Sequence, residues 1–165
     1  MSKVLNVMVN KLVESLNNFA DPRLLDPLVL LTAVMSFQRP YIVLVDDDED
    51  FLELMEYFLL GKYPLFEFIK FNCPLDAQKF IFKHREEIAF IISDYHMKRT
   101  NGIRFFQNIK SIGISIPFLI VSSDTSQKVQ QEAEKIGVTD YVLKSLDIYE
   151  MFNTIESYVR TVQVF

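Results

Sequence analysis

From Tyr41 onward, short apolar runs alternate with segments in which apolar residues recur at helical spacing. Such alternation indicates βαβ units, because a helix between two strands returns the chain so that the next strand runs parallel to the last. Five strands are predicted, at Tyr41–Val45, Leu65–Phe71, Ile88–Ser93, Pro117–Ser122 and Asp140–Leu143. Five helices are predicted, at about Asp50–Leu60, Leu75–Lys83, Ile103–Asn108, Ser126–Ile136 and Asp147–Val162. The connections are short, so the sequence predicts an α/β domain with a five-stranded parallel sheet.

Residues that favour helix ends stand where this pattern needs them. Gly61 and Gly137 follow the first and fourth predicted helices, where a left-handed residue commonly ends a helix. Asp48 lies just before the first helix, where an aspartate side chain caps free N–H groups. These local signals agree with the βαβ pattern.

The first 39 residues differ from the rest of the chain. Apolar residues recur at helical spacing up to Asp21, and a second apolar segment begins after Asp26. We therefore expect a helical extension over residues 1–39 and a main domain over residues 40–165. Two interpretations of the extension stay open: a docking or dimerisation hairpin that covers its apolar face, or a non-native leader, because Met35 lies just before the first strand.

Composition argues against several classes of function. The chain has 165 residues, a net charge of −5 and a single cysteine, Cys73. Direct nucleic-acid binding is not expected, because Lys and Arg residues that neutralise phosphates supply most of that affinity and no basic stripe is present. The apolar run from Leu28 to Phe37 is too short to span a bilayer, and no signal-peptide pattern begins the chain. A cytoplasmic location is expected, since one cysteine cannot form an intramolecular disulfide.

Carboxylates stand at the ends of two predicted strands. Asp46 and Asp47 follow the first strand, and Asp94 follows the third. Ligands of open parallel sheets bind beyond the carboxyl ends of the strands, so we expect these three side chains to form one site. Because hard cations prefer oxygen ligands, the site is predicted to bind Mg²⁺ together with a phosphoryl group.

Further motifs follow the strands in order. They are Val-Leu-Val-Asp46-Asp47-Asp48, Ile-Ser-Asp94-Tyr-His-Met97, Asn101-Gly102, Ile-Val-Ser122-Ser123 and Tyr141-Val-Leu-Lys144. With these motifs, the segment from Tyr41 to about Arg160 resembles the receiver domains of two-component response regulators, of the single-domain chemotaxis type. The resemblance implies a flavodoxin-like, doubly wound sheet of order 2-1-3-4-5, whose switch point lies between strands one and three.

The resemblance also implies a nucleophile and a set of metal ligands. Asp94 would be the phosphoacceptor, whose carboxylate forms an acyl phosphate. Asp47 would bind Mg²⁺ directly and Asp46 would bind it through water, while Asp94 and the main-chain carbonyl of His96 would complete the oxygen shell. The side chain of His96 is expected to face solvent.

Donors for the phosphoryl oxygens follow from the same resemblance. Lys144 would supply a positive charge, Ser122 a hydroxyl and Ser123 a main-chain N–H. Tyr141 matches the switch aromatic of the family. On phosphorylation, Ser122 would move toward the phosphate and Tyr141 would rotate into the space that it leaves.

Three positions depart from the usual pattern of the family. Ser145 stands where proline usually follows the lysine, so the Lys144–Ser145 peptide bond is expected to be trans or to carry a strain cost. Lys98 and Asn101 replace a frequent proline and a frequent aspartate, which makes the loop after Asp94 more cationic. Neither is expected to contact the metal ligands.

The function implied is a phosphorylation-activated signalling switch. It would accept a phosphoryl group from a sensor histidine kinase or a histidine phosphotransfer protein. The chain would catalyse only its own phosphorylation and dephosphorylation, so it is not a conventional enzyme. An unidentified target would bind the fourth helix, fifth strand and fifth helix, and a homodimer stays open.

Two other functions compete with the switch. A phosphorylation-independent interaction module with the receiver fold remains the alternative, although the intact set of site residues argues against it. A Mg²⁺-dependent phosphatase would need a second aspartate spaced after the nucleophile. The sequence after Asp94, Tyr95-His96, lacks that aspartate.

Overall fold

The computed structural model describes residues 39–144 and 147–162. Its elements are Tyr41–Val45 (β1), Glu49–Leu60 (α1), Glu67–Phe71 (β2), Pro74–His84 (α2), Ile88–Asp94 (β3), His96–Met97 (β4), Thr100–Asn101 (β5), Gly102–Ser111 (α3), Phe118–Ser122 (β6), Gln127–Ile136 (α4), Asp140–Leu143 (β7) and Ile148–Thr161 (α5). The helical extension predicted before Arg39 lies outside these residues, so both of its interpretations remain predictions. The same holds for the Lys144–Ser145 peptide bond.

Five parallel strands form the main sheet, in the order β2-β1-β3-β6-β7. The predicted order 2-1-3-4-5 is confirmed, because β6 and β7 are the fourth and fifth predicted strands. The chain winds outward from β1 in both directions, so the order reverses between β1 and β3. A separate two-stranded antiparallel hairpin, β4-β5, was not predicted.

Helices cover both faces of this sheet. Ile42 and Leu44 of β1 point into a core that is shared with α1 and α5. The alternate residues Val43 and Val45 point into a second core, shared with α2, α3 and α4. Because both faces of the sheet are buried, the strand sequences are continuous apolar runs and do not alternate between apolar and polar residues. In the described part of the chain, no helix is long and apolar enough to cross a membrane.

The predicted helix ends were right at one glycine and wrong at the other. Gly137 ends α4 in the left-handed region with φ 93°. Gly61, in contrast, has right-handed helical angles of φ −62° and ψ −29°. The chain after Leu59 continues in a helical turn in which the Tyr63 N–H donates to the Leu59 carbonyl at 2.8 Å. This bond satisfies the end of α1 without a left-handed residue.

The third helix is longer than predicted, and Asn101 caps its N-terminus. The Asn101 side chain accepts a hydrogen bond from the Arg104 N–H at 2.9 Å, and α3 continues to Ser111. Asparagine is among the best residues at this position, since its side-chain oxygen accepts from a free N–H of the first turn. The position that departs from the usual family pattern thus has a structural role.

The loop after β3 folds back tightly through Gly102. The Gly102 N–H donates to the Tyr95 carbonyl at 2.9 Å. A Cβ atom at this position would lie 2.7 Å from the carbonyl oxygen of Asp94, which is closer than real Cβ contacts allow. A glycine at this position therefore permits the close approach that shapes the end of β3.

We expect Gly102→Ala to destabilise the protein by about 1–3 kcal/mol, because the added methyl group forces the backbone near Asp94 to move. Gly61→Ala is the matched control. Its Cβ would meet only the Tyr57 carbonyl, at 3.9 Å, so this change is expected to be neutral or slightly stabilising. Urea unfolding of both variants measures the difference. Equal stabilities would contradict the tight approach at Gly102.

Candidate functional site

Three carboxylates converge at the carboxyl end of the sheet, where the strand order reverses. Asp46 directly follows β1, and Asp94 is the last residue of the neighbouring strand β3. The register pairs Val45 with Ser93, which brings the two aspartates side by side. One oxygen from each of Asp46, Asp47 and Asp94 lies within 4.8 Å of the others. The three carboxylates that were expected to meet at the strand ends therefore do lie together.

Burial distinguishes these carboxylates. Asp46 is 2% exposed and Asp94 is 7% exposed, whereas the Asp47 side chain is 26% exposed. Burial raises the pKa of Asp46, although hydrogen bonds from Lys144 and the Asp48 N–H work in the opposite direction. The Asp48 N–H lies 2.9 Å from Asp46 Oδ1. Asp48 itself caps α1 as predicted, since its side chain accepts from Phe51 N–H.

Lys144 bridges the two buried carboxylates. Its Nζ lies 2.7 Å from Asp46 Oδ2 and 2.8 Å from Asp94 Oδ1. The ammonium also lies 4.1 Å from the centre of the Phe51 ring, in a cation–π contact. Burial lowers the pKa of Lys144, but hydrogen bonds to Asp46 and Asp94 outweigh burial and raise that pKa above its ordinary value. The lysine therefore stays charged and offsets part of the negative charge.

The two serines lie at the end of β6, beside β3. Ser122 is fully buried, and its Oγ accepts a hydrogen bond from the Asp124 N–H at 3.0 Å. Its carbonyl accepts from the Lys144 N–H at 2.7 Å, which continues the ladder between β6 and β7. Ser123 is exposed at the next position. Both serines thus lie at the same end of the sheet as the carboxylates.

Tyr141 lies on β7, and its ring is half-buried against the other residues of this end. Its hydroxyl donates to the Asp124 carbonyl at 2.9 Å, and its ring packs edge-on to Tyr95. Burial raises the pKa of the Tyr141 hydroxyl. The hydroxyl is therefore a donor, not an acceptor, in its bond to the loop.

Sequence reasoning missed Asp124, which connects four parts of this site. Besides its contacts with Ser122 and Tyr141, its Oδ2 lies 3.3 Å from His96 Nε2, and its Oδ1 accepts from the Ser126 N–H at 2.8 Å. This last hydrogen bond closes an Asx-turn, in which an aspartate side chain accepts from the backbone N–H two residues later. In the sequence, this turn is indicated only by the Asp124-Thr-Ser126 tripeptide.

The expectation that Lys98 stays away from the metal ligands was wrong. Lys98 Nζ lies 3.7 Å from Asp47 Oδ2. The unpredicted β4-β5 hairpin explains the contact, because it folds the loop after Asp94 back beside the carboxylates. The His96 side chain is 61% exposed, as predicted, and the role of its carbonyl as a metal ligand stays a prediction.

The donors that converge in this site suit a divalent cation. Three carboxylates offer oxygen ligands, and Mg²⁺ prefers oxygen ligands while it retains several waters. Asp47 is partly open to solvent, which leaves room for those waters. The cluster can therefore hold a hard metal ion beside Asp94.

Sequence comparisons match the chain to one family. Residues 42–156 match the model of the response regulator receiver domain. The chain is similar to the transcriptional regulatory protein ZraR of Klebsiella oxytoca, with 32% identity over 68% of this chain and 25% of that protein. It is also similar to the two-component response regulator ARR2 of Arabidopsis thaliana, with 26% identity over 72% of this chain and 18% of that protein. The chain thus spans a quarter or less of these two relatives.

Solved structures agree with the fold. The chemotaxis protein CheY4 of Vibrio cholerae superposes with a TM-score of 0.63 and 20% identity, over 73% of this chain and 98% of that one. A response regulator receiver protein of Pseudomonas putida gives a TM-score of 0.62 and 20% identity over the same shares. At this identity, the similarity shows the receiver fold alone.

We expect Lys144→Gln to lower the free energy of unfolding by about 3 kcal/mol in the presence of a metal chelator. The loss follows because Asp46 and Asp94 would then be buried without their cation. Lys79→Gln is the control, since Lys79 is 79% exposed and its ion pair among the described residues is with Asp76 on its own helix. Chemical denaturation should show no change for the control, and an equal effect in both variants would contradict a role for the bridge.

Proposed function

The chain belongs to the family of response regulator receiver domains, and we propose that it is a phosphorylation-activated switch of a two-component or phosphorelay system. It would act in the cytoplasm, where a sensor histidine kinase or a histidine phosphotransfer protein would supply the phosphoryl group. The observation that carries the proposal is the position of Lys144 between Asp46 and Asp94. This arrangement supports the proposal, because a carboxylate that is to accept a phosphoryl group needs a positive charge beside it.

Asp94 is the phosphoacceptor in this proposal. One of its carboxylate oxygens attacks the phosphorus of a phosphohistidine, a new P–O bond forms and the P–N bond breaks. The imidazole leaves with the bonding electron pair and takes up a proton. Because an anion attacks an anionic group, catalysis depends on positive charge and positioning. Lys144, 2.8 Å from Asp94, supplies the first of these charges.

Mg²⁺ is the metal that we assign to the carboxylate cluster. Asp47, Asp46 through water, Asp94 and the His96 carbonyl would hold it. When bound, the ion supplies positive charge that offsets the repulsion between carboxylate and phosphoryl oxygens. Support for this assignment comes from the oxygen ligands that converge within 4.8 Å.

Lys144, the Ser122 hydroxyl and the Ser123 N–H are the donors that we assign to the phosphoryl oxygens. Fixed donors of this kind stabilise developing charge at little reorganisation cost. Ser122 already lies at the end of β6, the strand that pairs with β3 and its Asp94. Its hydroxyl oxygen accepts a hydrogen bond from the Asp124 N–H, and movement of the hydroxyl toward a phosphoryl group would break that bond.

That exchange is the switch that we propose. The Asp124 loop is held by Ser122 through its N–H and by Tyr141 through its carbonyl. Movement of the Ser122 hydroxyl toward the phosphoryl group would remove one of these two bonds and let Tyr141 rotate further inward. The change would then be read at the surface of α4, β7 and α5 by a downstream protein or a second copy of the chain.

We expect acetyl phosphate with Mg²⁺ to add a single phosphoryl group to the wild-type protein, because Asp94 has its charge partners in place. Intact-mass spectrometry measures the adduct. Asp94→Asn and a chelated sample should show none, while Asp76→Asn, a change at an exposed helix position, should react like wild type.

Wild-type protein that stays unmodified by both acetyl phosphate and a phosphorylated histidine phosphotransfer protein would contradict the switch. That result would favour the phosphorylation-independent interaction module. An adduct that persists in Asp94→Asn would instead show that another residue accepts the group.

The Asp124 amide gives a direct test of the switch. We expect its hydrogen exchange to become faster on phosphorylation, because its acceptor, Ser122 Oγ, turns toward the phosphoryl group. The Phe118 amide is the control, since it also donates to a hydroxyl, Thr139 Oγ1, at 2.9 Å, but at the other end of β6. NMR exchange rates that stay equal at Asp124 before and after phosphorylation would contradict the mechanism.

A further inference from the structure

Asp47 pairs with a different lysine from the one that bridges Asp46 and Asp94. Lys144 pairs with Asp46 and Asp94. The ion pair of Asp47 is with Lys98, whose Nζ lies 3.7 Å from Asp47 Oδ2. Asp47 is also the carboxylate most open to solvent, and the one that we assign to Mg²⁺ directly.

The backbone that carries Lys98 is fixed close to Asp47. Residues 96–101 form the β4-β5 hairpin, in which His96 pairs with Asn101 and Met97 pairs with Thr100. Met97 is buried beneath the hairpin, and Arg99 completes the turn with φ 72°. Lys98 is therefore part of a hydrogen-bonded hairpin, and this hairpin holds its backbone where the ammonium lies 3.7 Å from Asp47 Oδ2.

The side chain of Lys98, in contrast, is free to leave. It is 82% exposed, whereas the Lys144 side chain is 23% exposed. An exposed lysine pair of this length is weak and is screened by salt. Lys98 can thus pair with Asp47 and also leave it at a small cost in free energy. The less exposed Lys144 cannot leave its two carboxylates at a similar cost.

Charge balance indicates what this pair does. The three carboxylates carry three negative charges when ionised, and Lys144 and Lys98 offset two of them. A divalent cation bound at Asp47 would lie close to the Lys98 ammonium, and like charges at this range repel each other. The ammonium and the metal ion therefore favour the same carboxylate.

We propose that Lys98 competes with the divalent cation for Asp47 and so sets the Mg²⁺ concentration at which this receiver can be phosphorylated. The inference rests on the metal site of the proposed function. In the absence of metal, Lys98 stabilises the carboxylate cluster. When the ion binds, the ammonium moves into solvent, and that displacement weakens the affinity of the site.

The test measures Mg²⁺ binding to the full chain by isothermal titration calorimetry, with the metal alone as the probe. Lys98→Gln is expected to bind Mg²⁺ about two- to fivefold more tightly than wild type, which matches the strength of an exposed ion pair. The difference should shrink at high salt, because screening weakens the pair. Lys98→Arg keeps the charge and should stay close to wild type.

Arg99→Gln is the matched control for net charge. Arg99 is the next residue of the hairpin and carries the same charge, but among the described ion pairs it has none with the three carboxylates. Its removal should change the Mg²⁺ affinity less than the removal of Lys98. Equal effects of the two variants, or no change in Lys98→Gln, would overturn the proposal.

The same titration separates this inference from the proposed function. If wild type binds Mg²⁺ and accepts a phosphoryl group while Lys98→Gln has unchanged affinity, only the competition is wrong. If neither wild type nor Lys98→Gln binds Mg²⁺, the competition falls together with the assigned metal site. Measurable binding that appears only in Lys98→Gln would support the competition in its strongest form.

Discussion

The Lys144 bridge between Asp46 and Asp94 is the interaction on which the site depends. Two carboxylates that are almost fully buried repel each other and lose their hydration, so they require a cation at close range. Lys144 provides it with two short ion pairs and with support from the Phe51 ring. The bridge therefore holds the Asp94 carboxylate beside a positive charge in a position protected from solvent. It also joins the end of β7 to the ends of β1 and β3.

Sheet topology explains why this bridge forms between residues that are far apart in the sequence. Parallel strands all end at the same edge, and the reversal of order between β1 and β3 leaves a crevice there. The helices bury both faces of the sheet and leave that edge open. Stability thus comes from two apolar cores, while the polar chemistry is confined to the loops at one end.

Two of those loops, the one at Asp124 and the β4-β5 hairpin, lie beside the carboxylates. Asp124 accepts hydrogen bonds from Tyr141 and Ser126, donates one to Ser122 and pairs with His96, so residues of three strands, β4, β6 and β7, contact one loop. The β4-β5 hairpin approaches from the other side and brings a second lysine beside Asp47. The site is therefore bounded by the edge of the sheet on one side and by two loops with polar contacts on the others.

The sequence by itself determined the fold and the carboxylate cluster, because apolar periodicity and residues at strand ends depend only on local order. All five strands of the main sheet and five helices were predicted, and Asp46, Asp47 and Asp94 were expected to meet. Only the tertiary structure decided the right-handed helical conformation of Gly61, the contacts that converge on Asp124 and the ion pair between Lys98 and Asp47. Each depends on how a turn or hairpin packs back onto the sheet, and short polar segments carry no periodicity from which that packing can be inferred.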